Sequence, residues 1–273
     1  MTRYKEMFKR LKVDEEAAFI PFTILGYPNI EISFKIMNIM VDNGADALEL
    51  GIPFSDPIAD GPIIQKASVE ALKTGITPRD CFYLIKRVRD KYPTLPIGLL
   101  TYANLVVSKG ENIFYEELKN AGVDSLLIAD VPTIEAAPFR RLARQKNIDY
   151  INILPPNASQ KSLEEIAKTG MGYTYLLGRK GVTGLGMTAD LPDQNLLKGL
   201  ESYNGPPAIQ GFGISEPYQV TLAIEAGVIG VISGSKPVSL IERALRDGDL
   251  NFNELKAFLV AMKAKTRTQK EAT

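Results

Sequence analysis

Two adjacent segments carry the side chains best suited to chemistry. Glu49 stands in the run Ala47-Leu48-Glu49-Leu50-Gly51. Period-2 alternation places Leu48 and Leu50 on one face of a strand and Glu49 on the other. If the leucines face outer helices, Glu49 points into an apolar interior, where burial penalises its charged form and raises its pKa towards neutrality. A carboxyl so poised can both give and take a proton. Taken alone, Glu49 fits equally well a structural role, bound to an arginine or to backbone amides. The next segment, Pro53 to Pro62, is a proline-rich loop holding Asp56 and Asp60. Its ordinary reading is that Asp60 caps a helix opening at Pro62 while Asp56 organises the turn. Capping and catalysis would compete for the same carboxylate oxygens.

Composition narrows the chemistry. The 273 residues include no histidine, which excludes imidazole acid-base chemistry, Ser-His-Asp or Cys-His nucleophiles and histidine metal ligation. Cys81 is the only cysteine, so there is no internal disulfide and no cysteine-built zinc site. Catalysis would rest on carboxylates, Lys, Arg, Tyr or backbone dipoles, with no metal. With 32 basic and 32 acidic residues the formal charge is zero, which suggests neither a nucleic-acid nor a membrane-surface partner. No run of ~18 apolar residues and no signal-like apolar start is present. A cytoplasmic protein acting on a small molecule is expected.

Three further segments are rich in glycine: Gly181 to Gly184, Gly211 to Ser215, and Ser233 to Pro237. Each glycine alone is an ordinary turn residue. Together, exposed N–H groups and the positive end of a helix could bind a phosphate without a dedicated cation.

The elements that would position these residues are short apolar runs alternating with amphipathic stretches, the pattern of repeated β/α units. Eight strands are expected, near 19–23, 47–51, 97–100, 125–128, 150–153, 173–177, 208–211 and 230–233. Helical patterns fall near 30–42, 114–120, 136–145, 162–168 and 251–265. Glycines at 44, 122 and 227 would end helices before strands. Eight units and this length suit a single (β/α)8 barrel over 1–273, with an extra N-terminal helix, a short phosphate-binding helix after strand 8 and a frayed tail at 266–273. An open doubly wound sheet would need a miscount of two strands. In a barrel, active residues cluster after the C-terminal strand ends.

The stretch LELGIPFSDPIADGPIIQ resembles the signature of tryptophan synthase α chains. The likeness continues in family order through LLTYANLV at 99–106, LIADVPTIEAAPFR at 127–140, GYTYLLGRKGVTG at 172–184, AIQGFGIS at 208–215 and VISGSK at 231–236. It implies a lyase of tryptophan biosynthesis that cleaves indole-3-glycerol phosphate to indole and glyceraldehyde 3-phosphate. Glu49 would be the proton shuttle, Asp60 the partner of the indole nitrogen, and Tyr175 a group near the reacting centre. Phe22, Leu100, Tyr102, Leu127 and Phe212 would wall the indole, although each also suits plain core packing. Gly184, Gly213, Gly234 and Ser235 would hold the phosphate. Residues 179–191 would be a lid, with Thr183 bonding Asp60 on closure. Gly178, Lys180 and Lys236 depart from the family pattern and leave lid motion and local charge open. The resemblance also implies an α2β2 heterotetramer with allosteric coupling. Pyridoxal phosphate would sit in the β subunit and no cofactor in this chain. Pro53, Asp56, Asn104 and Pro132 would form the partner face.

Other phosphate-binding barrels fit less well. A ribulose phosphate epimerase resembles a metal-and-histidine enzyme, and this chain lacks histidine. An indole-3-glycerol phosphate synthase would need a catalytic lysine in a strand, and none of the eight runs contains one. A non-enzymatic scaffold would have no need of Glu49 and Asp60.

Overall fold

The computed structural model describes residues 2–178 and 192–267. The expected lid, with Thr183 and Gly184, lies outside the described residues.

Among the described residues nine strands form one parallel sheet: β1 Ala18–Ile24, β2 Leu48–Gly51, β3 Ile97–Thr101, β4 Ser125–Ile128, β5 Asp149–Tyr150, β6 Asn152–Leu154, β7 Thr174–Leu176, β8 Ala208–Gln210 and β9 Gly230–Ser233. Their order is β5-β4-β3-β2-β1-β9-β8-β7-β6. The count exceeds the expected eight because the fifth strand is split. Its first half, β5, pairs with β4, and its second half, β6, pairs with β7. Between them, the Ile151 N–H still donates to Leu126 O at 2.9 Å. The two halves serve different neighbours, so the ladder breaks at Ile151 while the ring of eight strand positions closes into a barrel.

Helices cover the outside, so the strands are buried on both faces and read as near-continuous apolar runs. All seven residues of β1 are buried. Leu48 and Leu50 are fully buried, each contributing about 2 kcal/mol of apolar burial. Gly44, Gly122 and Gly227 have φ of 105°, 82° and 109°, the left-handed geometry expected where a helix turns into a strand. Two helices, Pro62–Lys73 and Pro78–Lys91, separate β2 from β3, and two more, Ala103–Ser108 and Glu111–Ala121, separate β3 from β4.

The N-terminal helix Arg3–Val13 begins at Thr2, whose side chain accepts from the Lys5 N–H, and it buries Tyr4, Met7 and Leu11. That spacing puts the three on one face. Tyr4 reaches the start of β4, where its hydroxyl lies 3.0 Å from Ser125 Oγ. Gly98 makes room for this contact, since a Cβ there would stand 3.0 Å from the Tyr4 hydroxyl and 2.9 Å from Ser125 Oγ. The helix thereby closes the barrel at the N-terminal strand ends.

At the other end of the chain, residues 266 and 267 of the expected frayed tail are held in place, and 268–273 lie outside the described residues. Thr266 is fully buried and its carbonyl accepts from the Ala17 N–H at 2.8 Å. Arg267 forms an antiparallel bridge with Glu16 and an ion pair with its carboxylate. Backbone bonding to the chain beside β1 is what holds these two residues. Among the described residues no helix is long and apolar enough to cross a membrane.

Candidate active site

Glu49 is the second residue of β2, opposite Phe22 of β1 and Gly98 of β3. The leucines on either side face outwards, and Glu49 projects into the barrel at 2% exposure. Burial pushes its carboxyl up to about 8, opposed by a hydrogen bond from Tyr173 and reinforced by the charge of Asp60. The Tyr173 hydroxyl donates to Glu49 Oε1 at 3.4 Å, and its ring packs on Tyr4 with centroids 5.4 Å apart. Glu49 therefore rests on a floor of two buried tyrosines.

Asp60 reaches the same cavity from the loop after β2. It does not cap the following helix, because Gly61 occupies the N-cap position and no side-chain cap bond is made there. One carboxylate oxygen, Oδ2, instead accepts from the Tyr102 hydroxyl at 2.7 Å. Burial pushes Asp60 up to about 6, with the Tyr102 bond pulling it back. Asp56 is exposed and does organise the turn: its carbonyl accepts from the Ile58 N–H and its side chain from Ser55.

The two carboxyls line one concave cavity whose walls are mostly apolar with a few polar groups, the lining usual for a small-molecule site. Phe22, Leu100, Tyr175 and Phe212 form walls as expected, and Gly213, Gly234 and Ser235 lie on the rim. Two expected wall residues stand elsewhere. Tyr102 is buried behind Asp60 as its hydrogen-bond donor, and Leu127 is packed in the core. The Tyr175 hydroxyl is engaged, donating to Gly211 O at 2.5 Å.

Ile64 and Ile232 line the cavity without having been singled out in the sequence, while Ile214 and Ser215 line it from the glycine-bearing segment 211–215. Tyr173 was not singled out either, although it shares strand parity with Tyr175, and period 2 could have pointed to it. The rim offers anion-binding geometry. Gly213 has φ of 75°, and Gly234 caps the helix Ser235–Arg246, whose first N–H groups have no partner within the helix. This helix follows β9 directly and runs for twelve residues, longer than the short one expected.

Of the expected partner face, Asp56, Asn104 and Pro132 are exposed, whereas Pro53 is buried under the loop it begins. Among the described residues no group of three or more His, Cys, Asp or Glu side chains could hold a metal ion.

Comparison with known proteins agrees with this geometry. The family described as tryptophan synthase alpha chain matches residues 8–267. A tryptophan synthase alpha chain from Citrobacter koseri is 54% identical over 267 residues, covering 98% of this chain and all of the relative. One from Escherichia coli is 53% identical over 268 residues, with the same coverage. Among solved structures, a Mycobacterium tuberculosis tryptophan synthase superposes with a TM-score of 0.87 at 26% identity, covering 98% of this chain and 99% of that one. The tryptophan synthase subunit alpha of Legionella pneumophila gives 0.85 at 27% identity, covering 97% and 98%. Matched over nearly its whole length, this histidine-free chain belongs to the tryptophan synthase alpha chain family, which cleaves indole-3-glycerol phosphate to indole and glyceraldehyde 3-phosphate.

Proposed function

We propose that Glu49 and Asp60 divide the work of this cleavage between proton transfer and charge stabilisation. The observation that carries the reading is that both line one cavity with differently perturbed carboxyls, Glu49 at about 8 and Asp60 at about 6. Between those values Glu49 is largely protonated and Asp60 largely ionised. Such separated pairs assign acid and base roles.

Glu49 donates its proton to indole carbon 3. The ring becomes an indoleninium cation with its charge on nitrogen, and the Asp60 carboxylate stabilises that charge. Glu49, now ionised, removes the proton of the side-chain hydroxyl. The carbon–oxygen double bond forms as the bond to carbon 3 breaks, and its electrons return to the ring and neutralise the nitrogen. Indole and glyceraldehyde 3-phosphate leave, and Glu49 is again protonated. Tyr175 walls the reacting centre and fixes the Gly211 turn. Phe22, Leu100 and Phe212 flank the indole, while Gly213, Gly234 and Ser235 take the phosphate. The family pattern would add Gly184 to the phosphate donors and Thr183 as a partner of Asp60, both outside the described residues.

The chain passes indole to a β subunit in an α2β2 assembly, and pyridoxal phosphate belongs to that partner. Two exposed apolar side chains support this reading: Ile58 and Ile134, each two residues along the chain from Asp56 and Pro132, are 71% and 82% exposed.

The test follows indole release from indole-3-glycerol phosphate by the parent, Glu49→Gln and Asp60→Asn, with and without a β subunit. Each substitution should lower kcat by about 10²- to 10⁴-fold. Undiminished release by either variant overturns that residue's role.

A further inference from the structure

Among the described residues lining the cavity, Lys236 carries the only cationic side chain. It is the second residue of the helix Ser235–Arg246, whose first turn contains no acidic residue. A cation there opposes the helix dipole, which favours negative charge at that end. Two sources of positive potential thus converge on the rim beside Gly213 and Ser235. Among the described residues Glu216 is the carboxylate paired with this cation: Lys236 Nζ donates to Glu216 Oε1 at 3.0 Å, with side-chain exposures of 27% and 48%. A pair this open to water is held weakly.

The opposite side of the rim has fewer donors to spare. The Ser215 and Glu216 N–H groups both donate to Gln219 Oε1, at 2.8 and 2.9 Å. The helix start at Gly234 to Lys236 is therefore where an incoming anion finds unsatisfied donors.

We propose that Lys236 is a substrate-specificity residue that exchanges its Glu216 ion pair for the phosphate of the substrate. The assignment rests on the reading of this rim as the phosphate end of the site. Glu216 then acts as a resident competitor that holds the ammonium in place until a dianion arrives. The dianion carries more charge than the carboxylate and also meets the helix N–H groups, so it displaces Glu216.

The test uses the full chain and two ligands: inorganic phosphate titrated by calorimetry, and indole-3-glycerol phosphate in steady-state indole release. Lys236→Met should weaken phosphate binding about tenfold and raise KM by a similar factor, more than it lowers kcat. Lys236→Arg should keep affinity within about threefold of the parent, which separates charge from a folding defect. Glu216→Gln, by removing the competitor, should tighten phosphate binding by roughly two- to fivefold. Added salt should weaken phosphate binding more steeply for the parent than for Lys236→Met. If the parent binds phosphate saturably and Lys236→Met binds it equally well, the role of Lys236 is overturned while the site stands. If the parent neither binds phosphate nor releases indole, the reading of the rim falls, and the proposal with it.

Discussion

Tyr102 donates to Asp60 Oδ2 at 2.7 Å and accepts from the Ala59 N–H at 3.2 Å, so a buried phenol, and not the following helix end, holds the carboxylate. Tyr102→Phe removes both bonds and leaves the Ala59 N–H without this acceptor. A cost of about 1–3 kcal/mol in stability is expected. The Tyr102 bond also pulls the Asp60 pKa down. Its loss should move the acidic limb of the pH–rate profile upwards and lower kcat/KM at neutral pH. An unshifted acidic limb in the variant would show that Asp60 is set by something else.

The parent profile itself should be a bell. Asp60 must be ionised, which requires a pH above about 6, and Glu49 must be protonated, which requires a pH below about 8. The charges interact, so the two limbs belong to the pair. Initial rates of indole release between about pH 5 and 9.5, plotted as kcat/KM, should rise, plateau narrowly near 7 and fall. A profile flat to the alkaline side would remove Glu49 as the proton donor.

Holding Glu49 in the barrel has a stability cost that depends on pH. Its folded pKa, about 8, lies above the ordinary 4.5. Below 4.5 the group is protonated in both folded and unfolded chains and contributes no penalty. As pH rises from 4.5 to 8 the unfolded chain gives up the proton first, so folding stability falls across that window. At pH 7 the gap is 7 − 4.5 = 2.5 pH units, an upper bound of roughly 3 to 4 kcal/mol at roughly 1.4 per unit. Burial of Leu48 and Leu50 on the same strand offsets a cost of this size. Glu49→Gln should therefore melt higher than the parent at pH 8, with the difference shrinking towards pH 5. Equal melting temperatures at both pH values would contradict a raised Glu49.

The orientation of Glu49 was legible because its causes are local: leucines at 48 and 50 and a strand of period 2. The barrel was legible for the same reason, from repeated apolar runs and the glycines between them. What stayed hidden depends on residues far apart in sequence. The fate of Asp60 turned on Tyr102, 42 residues later, and the floor under Glu49 on Tyr173, 124 residues later. Tyr4 joins that floor from a helix whose pattern shows only that one face is apolar. The break at Ile151 is equally non-local, since each half of the strand answers to a different neighbour.

Tyr175 and Gly211 make the sharpest steric demand on the site. A Cβ on Gly211 would lie 1.9 Å from Tyr175 Cζ, closer than atoms can pack. The backbone cannot readily yield, because the Gly211 N–H donates to Leu176 O at 3.0 Å while its carbonyl accepts the Tyr175 hydroxyl. Gly211→Ala must therefore push the Tyr175 ring aside, into the cavity that both residues line. We expect kcat/KM to fall about 100-fold, in keeping with the cost of a 1 Å misplacement. Tyr175→Phe should not relieve that defect, since the ring that collides is unchanged. Tyr175→Leu removes the ring and should recover about tenfold on the Gly211→Ala background, because the two side chains couple directly. Indole release from the single and double variants, with circular dichroism to confirm folding, measures the coupling. Parent-like activity of Gly211→Ala alone would show that the ring can be displaced without closing the site.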